Sequence, residues 1–266
     1  MNGLLPVDKP KGITSYDVIR RLKALLSAEN GERRTENEKS RNPIRQSADG
    51  SPAYHAHRQA GRTGRRTPKL GHAGTLDPLA TGLLIILIGK YTKRANEFLL
   101  LNKTYKAEIT LGATSATDDA EGRLTPVASS EQQVAREEIN NVLKRFVGEI
   151  LQTPPAFSAK KVAGRRAYKQ ARAGKPVNLS AQKVTIYELR LEAYHYPKLK
   201  LFAKVSSGTY IRALARDIGK TLGTGAYLSS LRRTAIDEFS LKEAVKLENL
   251  STKLIKENLK NASVRE

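Results

Sequence analysis

The chain has 266 residues, with 47 lysines and arginines against 26 aspartates and glutamates, and a formal net charge of +21 at pH 7. An excess of positive charge on this scale indicates a polyanionic partner such as nucleic acid, although a basic but otherwise ordinary enzyme stays an alternative on charge alone. Cysteine is absent, which excludes disulfides, thiolate metal sites and a cysteine nucleophile and is compatible with a reducing compartment.

The sequence lacks features that direct a chain into or across a membrane. The N-terminal residues MNGLLPVDKPKG have neither the basic start nor the apolar core of a signal peptide. The longest apolar run, 83–88, is far short of the roughly 20 residues that span a bilayer. We therefore expect a soluble, cytoplasmic protein.

Patterning along the first half of the chain predicts alternating helices and strands. Ser15 is a candidate cap for a helix that runs to about Leu26. The apolar run within 82–89 has the length and composition of a strand buried on both faces, and a helix over 91–101 follows it. Residues 105–111 alternate between apolar and polar, which is typical of a half-buried strand.

The second half continues in the same way. Ser130 and Gln133 form a capping-box pattern ahead of a helix that reaches Phe146. The stretches 183–193 and 199–205 predict an antiparallel pair of strands, and a helix is expected over 210–222. Together these elements predict an α+β domain on a mixed, mainly antiparallel sheet flanked by helices and loops.

Composition divides the chain into three parts. Residues 28–69 carry ten basic residues, five acidic residues and one large aliphatic residue, Ile44, so they cannot form a core and are expected to be a disordered or loosely ordered insertion. The remainder of 1–247 is expected to be the folded domain. Residues 248–266 are expected to be a short charged C-terminal tail.

The stretch 71–82, GHAGTLDPLATG, is the best candidate for a functional loop. It places three glycines, a proline and a single aspartate, Asp77, immediately before the buried strand. Glycines permit close approach of the backbone to a ligand, and Pro78 biases Asp77 away from helix. An aspartate before a proline also serves commonly as a turn residue. His72 is a second candidate, as a base or as a surface on which a nucleobase stacks, and no histidine has metal-ligand spacing with carboxylates.

Several segments resemble the TruB family of tRNA pseudouridine synthases. In chain order they are VDKPKGITS, GHAGTLDPLATGLL, KTYKAEITLG, TDDAEG, PPAFSAKKVAGRRAYKQARAG, SSGTYIRALARDIG and AYLSSLRRTAI. They cover nearly all of the chain outside the insertion. The resemblance implies a pseudouridine-synthase fold and the isomerisation of uridine 55 in the T loop of tRNA, with no cofactor, no metal and no obligate protein partner.

The resemblance also assigns roles to individual residues. It implies that Asp77 is the catalytic aspartate, that Tyr105 stacks on the base, and that Arg212 pairs with the aspartate. Further positions are implied to contact the flipped nucleotide or to support its pocket: His72, Tyr210, Leu231, Asp119 and Lys9. Physical chemistry agrees, because base extraction favours aromatic stacking and a guanidinium keeps a carboxylate ionised. Taken alone, a tyrosine such as Tyr105 is more often a core or edge-strand residue, and an arginine such as Arg212 is more often a phosphate or surface contact.

Some questions stay open at the level of sequence. Asp77 is compatible both with addition to the uracil ring and with assistance to a glycal intermediate. Many bacterial family members continue into a small C-terminal RNA-binding domain of the PUA type, whereas only some twenty residues follow Leu247 here, so the domain is expected to be missing. The rival functions are an inactive RNA-binding protein on the same scaffold and the catalytic subunit of a guide-RNA particle.

Overall fold

The computed structural model describes residues 1–39, 67–127, 133–158, 160–162, 165–174, 176–177 and 179–261. Its α-helices are α1 (Ser15–Lys39), α2 (Ala95–Leu100), α3 (Arg136–Lys144), α4 (Ala167–Arg172), α5 (Ile211–Thr221) and α6 (Thr252–Glu257). Its first seven strands are β1 (Gly3–Lys9), β2 (Leu70–Ala73), β3 (Thr81–Ile88), β4 (Lys103–Leu111), β5 (Ala113–Ser115), β6 (Leu124–Pro126) and β7 (Gly148–Gln152). The other seven are β8 (Lys161–Val162), β9 (Arg165–Arg166), β10 (Gln182–His195), β11 (Lys198–Val205), β12 (Ala226–Ile236), β13 (Phe239–Ser240) and β14 (Val245–Lys246).

Ten of these strands form one large sheet. Its order is β14-β1-β3-β12-β4-β11-β10-β7, with β13 added to β12 and β2 added to β3. Within the described residues, β1 with β14 and β12 with β3 are parallel pairs, and the other pairs in this sheet are antiparallel. The prediction of an α+β fold on a mixed, mainly antiparallel sheet is therefore confirmed.

The strand β3 is buried on both faces, as its apolar run predicts. Its alternate residues enter two different apolar clusters, Leu84 and Ile86 on one face and Leu83 and Ile85 on the other. On β4 the burial alternates along the strand, which matches the half-buried pattern. The predicted antiparallel pair forms as β10 and β11, and the helix expected after Gly208 forms as α5.

Two predicted helix starts are wrong in detail. At α1 the capping residue is Thr14, because the Asp17 backbone N–H donates to Thr14 Oγ1 over 3.2 Å and the Thr14 N–H donates to Asp17 Oδ2 over 2.8 Å. The neighbouring Ser15 is buried instead. At α3 the N-cap residue is Ala135 and has no side-chain hydrogen bond; Ser130 lies outside the described residues.

The helix α1 continues to Lys39, well past the predicted end at Leu26. Apolar periodicity ends near Leu26, but the glutamates and arginines that follow are good helix formers, so the helix outlasts its apolar stripe. Residues 40–66, most of the predicted insertion, lie outside the described residues. The chain comes together near the two ends of the insertion, since Ser27 Oγ and Thr67 Oγ1 are 3.1 Å apart.

The segment expected to be a charged tail packs onto the domain over its described part. Ile255 of α6 is fully buried, and the backbones of Leu4 and Lys260 exchange hydrogen bonds of 2.9 and 2.8 Å. Leu250 is also buried, and Leu254 and Leu259 pack against the same apolar cluster, so a few apolar side chains attach a stretch whose composition is mostly charged. Among the described residues, no helix combines the length and apolar composition that crossing a membrane requires.

Candidate active site

A cavity of about 330 Å³ opens where the neighbouring strands β4 and β12 meet the loop that contains Asp77. Its walls include residues 74–77, Tyr105 of β4, the loop 206–210, and Leu231 and Arg233 of β12. The sheet order explains the meeting, because β12 lies between β3 and β4 and Arg233 is the register partner of Gly82 on one side and of Tyr105 on the other. Ligand sites in proteins commonly have volumes of roughly 300 to 1,000 Å³.

Buried side chains hydrogen-bond to the backbone of the loop 74–77. The hydroxyl of Ser15 donates to the Leu76 carbonyl over 3.2 Å and accepts from the Leu76 N–H over 2.8 Å. Gly74 has a φ of 88°, which favours glycine, and its carbonyl accepts a 3.0 Å bond from Arg233 Nη2. The loop therefore presents Asp77 from a fixed backbone.

Asp77 forms an ion pair with Arg212 in the wall of the cavity. Arg212 Nε lies 2.9 Å from Asp77 Oδ2, and the side chains are 7% and 41% exposed. The Nε–H is not aligned with any acceptor, so the contact is an ion pair without a well-directed hydrogen bond. The guanidinium of Arg212 is buried in the protein interior, whereas the carboxylate of Asp77 is exposed to the cavity.

The guanidinium of Arg212 is fixed by three further contacts. Its Nη1 donates to the Thr117 carbonyl over 3.0 Å, and its Nη2 donates to the Phe157 carbonyl over 3.1 Å. Asp119 Oδ2 lies 3.4 Å from Nη1, and Asp119 is itself 3% exposed. Thr117 Oγ1 donates to Asp119 Oδ1 over 2.6 Å. The arginine is thus oriented by its surroundings before any ligand arrives.

Two tyrosines line the same cavity. Tyr105 is 8% exposed and belongs to the buried face of β4. The backbone of Tyr210 is held on both sides by one amide group, since Gln152 Oε1 accepts from the Tyr210 N–H over 2.8 Å and Gln152 Nε2 donates to the Tyr210 carbonyl over 3.2 Å. Burial raises the pKa of the Tyr210 phenol. Leu231 adds an apolar wall, so a flat ring can enter between aromatic and aliphatic surfaces.

Comparison with known proteins identifies the family to which this site belongs. Residues 62–211 match the model of the TruB family pseudouridylate synthase (N terminal domain), and residues 212–266 match the tRNA pseudouridylate synthase B C-terminal domain. The chain belongs to the TruB family. This TruB-family chain is therefore an isomerase, a pseudouridine synthase.

Curated relatives agree with the family models. The TruB-family chain is 43% identical over 251 residues to the tRNA pseudouridine synthase B of Aquifex aeolicus, which covers 93% of this chain and 73% of the relative. The enzyme of the same name from Francisella tularensis is 37% identical over 94% of this chain and 70% of the relative. That of Parabacteroides distasonis is 50% identical over 65% of this chain and 73% of the relative.

Solved structures share the fold. A Cbf5-Nop10-Gar1 complex contains a chain that matches with a TM-score of 0.61 and 25% identity, over 93% of this chain and 53% of that chain. An H/ACA RNP bound to a substrate RNA matches with a TM-score of 0.59 and 24% identity, over 93% of this chain and 52% of that chain. The TruB-family chain thus spans about half the length of these solved chains, and the likeness concerns the fold.

Three of the residues that the resemblance implies to contact the nucleotide or to support its pocket do not line the cavity. Lys9 is fully buried, and its ammonium donates to the carbonyls of Pro10 and Ile13 over 2.9 and 2.7 Å, so it supports the N-terminal turn. Asp119 lies behind Arg212. His72 lies on β2, where its Nδ1 is buried without a hydrogen-bond partner, and burial lowers its pKa. The structure brings together Asp77, Tyr105, Tyr210, Arg212 and Leu231.

The structure adds two cations that sequence reasoning missed, Lys103 and Arg233. Both line the cavity of this TruB-family enzyme, at 7% and 1% exposure. Arg233 Nε donates to the Leu83 carbonyl over 2.7 Å. Side chains two apart on a strand share a face. Once Tyr105 and Leu231 are assigned to the cavity, the same alternation therefore places Lys103 and Arg233 on the cavity side of their strands.

Burial, and to a smaller extent the charge of the neighbouring Arg233, lower the pKa of Lys103 to about 8. Its ammonium donates to the carbonyls of Leu99 and Leu101 at the end of α2. Lys103 therefore secures the turn that leads into β4 and Tyr105. Among the described residues, no cluster of three or more His, Cys, Asp or Glu side chains has the arrangement of a metal site.

Proposed function

We propose that this chain converts uridine 55 in the T loop of tRNA to pseudouridine, with Asp77 as the catalytic carboxylate. The observation that carries the proposal is the Asp77–Arg212 ion pair, in which the buried guanidinium holds a carboxylate that faces the cavity. A positive charge at this distance favours the ionised carboxylate, which is the form needed to accept a proton or to attack carbon.

The reaction is an isomerisation that consumes no second substrate. The bond between uracil N1 and ribose C1′ breaks, a bond between uracil C5 and C1′ forms, and the proton lost from C5 is balanced by the proton gained at N1. Asp77 serves as a general base at the ribose or as a nucleophile, and both routes fit its position. The reaction as proposed uses no cofactor and no metal.

The base must leave the stacked RNA before Asp77 can reach it. Enzymes that act on a base flip the nucleotide into a pocket and support it by stacking. Tyr105 is the proposed stacking surface, with Tyr210 and Leu231 completing the pocket. His72 is proposed to contact the nucleotide where it leaves the RNA, and Asp119 and Lys9 are proposed to support the site from behind.

The proposed substrate is tRNA, recognised through its T arm. The curated relatives named tRNA pseudouridine synthase B support this choice, as does the net charge of +21, which suits a phosphate backbone. Recognition by the shape of a folded loop agrees with the way proteins bind structured RNA. We also propose that the enzyme acts in the cytoplasm and needs no protein partner.

The test is to incubate the purified chain alone, in EDTA, with an unmodified tRNA transcript and to map pseudouridine along the RNA. We expect product at position 55 of the T loop. A transcript with cytidine at position 55 is the matched control and should yield none. The proposal is wrong if no product forms in the T loop, or if an unstructured RNA carrying the same sequence reacts equally well.

A further inference from the structure

The helix α5 presents two arginines that hold the same two loops. Arg212 and Arg216 are four residues apart, so their side chains emerge on the same face of the helix. We define the acidic loop as residues 115–122 and the proline loop as residues 153–158. Arg212 donates to one carbonyl in each, those of Thr117 and Phe157.

Arg216 repeats this bridge one helical turn away. Its Nη1 lies 2.9 Å from Asp118 Oδ2 in the acidic loop, and its Nη2 donates to the Thr153 carbonyl of the proline loop over 2.9 Å. Its Nε donates to Asp217 Oδ1 over 2.9 Å, so three sides of the guanidinium are occupied. A planar guanidinium that donates hydrogen bonds from Nε, Nη1 and Nη2 is fixed in one orientation, and the single ammonium of a lysine cannot make the same set of bonds.

Asp118 is buried in a loop position where its ionised carboxylate is stabilised by Arg216. Asp118 has a φ of 63°, and its backbone N–H and carbonyl bond to Ser115 and Leu228 over 3.2 and 3.0 Å. Its side chain is only 14% exposed. Burial raises the pKa of Asp118 and the charge of Arg216 opposes that rise. Removing the arginine would therefore leave a buried carboxylate next to Thr117 without its 2.9 Å ion-pair partner.

We propose that Arg216 and Asp118 form a positioning pair that locks the acidic loop against the proline loop, so that Arg212 meets both of its carbonyl acceptors and faces Asp77. Arg216 does not line the cavity, and it acts through Arg212 without touching the flipped nucleotide. The inference rests on the proposed function. It assigns to this pair an effect on the rate of the chemical step with little effect on tRNA affinity.

The test uses Arg216→Met and Asp118→Asn, each measured for tRNA affinity and for single-turnover rate at saturating enzyme. The matched control is Arg94→Met, because Arg94 forms an ion pair of 2.7 Å with Glu97 at 33% exposure, close to the 30% of Arg216, and lies outside the cavity wall. A misplacement of about 1 Å can slow a reaction by roughly a hundredfold. We expect both test variants to lose tenfold or more in rate, with affinity within about twofold.

Three further measurements separate positioning from a general loss of folding. Backbone hydrogen exchange should become faster in the acidic loop, whose Ala116, Asp118 and Ala120 N–H groups are hydrogen-bonded, in Arg216→Met and not in Arg94→Met. The double variant should lose less rate than the product of the two single losses, because the residues act as one pair. Arg216→Lys should recover part of the rate, since it restores the charge next to Asp118.

The possible outcomes distinguish the inference from the proposed function. If the unaltered chain makes no pseudouridine in the T loop, the proposed function fails. If the unaltered chain is active and Arg216→Met keeps its rate within twofold, the positioning role is overturned. It is also overturned if Arg216→Met mainly weakens binding and makes the slope of log affinity against log salt shallower by about one, which would mark a phosphate contact.

Discussion

The ion pair between Arg212 and Asp77 joins a buried cation to a half-exposed anion across 2.9 Å. The arginine is 7% exposed and donates to two backbone carbonyls, which hold its guanidinium in place when the carboxylate moves. The carboxylate at 41% exposure remains accessible to a ligand. This asymmetry supports the proposal that the aspartate is the reactive group and that the arginine holds it in place.

Replacing Asp77 by asparagine should abolish pseudouridine formation and leave tRNA affinity within about tenfold. The amide keeps the size of the side chain but can neither accept the proton nor attack carbon, whereas many basic residues share the contacts to phosphate. Single-turnover product formation and tRNA binding are the measurements. Substantial turnover by this variant would contradict the role of Asp77.

Tyr105→Ala should reduce the single-turnover rate far more than Tyr105→Phe. The ring lines the cavity at 8% exposure, and stacking on a base contributes on the order of 1 to 3 kcal/mol, or roughly 5- to 150-fold. Tyr187→Ala, which removes a 49% exposed tyrosine outside the cavity wall, is the control. Near-normal rates for Tyr105→Ala in a folded protein would make this residue structural.

Gly82→Ala should lower the free energy of unfolding by about 3 kcal/mol or more. Gly82 has a φ of 101°, and an added Cβ would lie 2.2 Å from the backbone oxygen of Arg233. Gly71→Ala is the matched control on β2, where the nearest atom to an added Cβ is Thr92 Cγ2 at 3.6 Å. Urea unfolding measures both, and equal midpoints for the two variants would refute the steric argument.

The free energy of unfolding should rise with pH between about 8 and 10.5, in part because of Lys103. Its pKa is lowered to about 8 in the folded protein from an ordinary 10.5, so over this range the unfolded chain binds more protons than the folded one. The cost of burying the cation is fully present below pH 8 and disappears as pH rises, by up to about 1.4 kcal/mol per pH unit.

Urea unfolding at pH 7.5, 8.5 and 9.5 tests this prediction. Lys103→Met should have a smaller slope of unfolding free energy against pH than the unaltered chain, while Lys200→Met, which removes an exposed lysine on β11, should keep the original slope. Lys9, whose pKa burial also lowers to about 8, contributes equally to every variant. Identical slopes for Lys103→Met and the unaltered chain would contradict the assignment.

Replacing residues 29–66 by a short Gly/Ser linker should weaken the salt dependence of tRNA binding without changing the single-turnover rate. The 3.1 Å contact between Ser27 and Thr67 allows a short linker to join the ends. Arginines of this segment, next to the Asp77 loop in sequence, are expected to contact phosphates. Three such contacts would account for a change of about two to three in the slope of log affinity against log salt. An unchanged slope and affinity would make the insertion a passive loop.

Sequence patterns predicted the elements that depend on local periodicity. The burial of β3 on both faces, the alternation along β4 and the helix after Gly208 were all predicted, because such elements follow from residue types and spacing along a short stretch of chain. The cap of α1 at Thr14 was missed because Ser15, an equally good capping residue by type, instead hydrogen-bonds the backbone of Leu76, 61 residues away in the chain.

By itself, the sequence determined the family, the α+β class and the identity of Asp77, Tyr105 and Arg212 as candidates for one site. Only the tertiary structure decided which candidates share a cavity and which lie behind it, as Lys9 and Asp119 do. The physical reason is that membership of the cavity depends on sheet order, which sets β12 between β3 and β4 and so brings the face of Arg233 to Tyr105. Such neighbours are far apart in the chain, and local patterning carries no information about their distance.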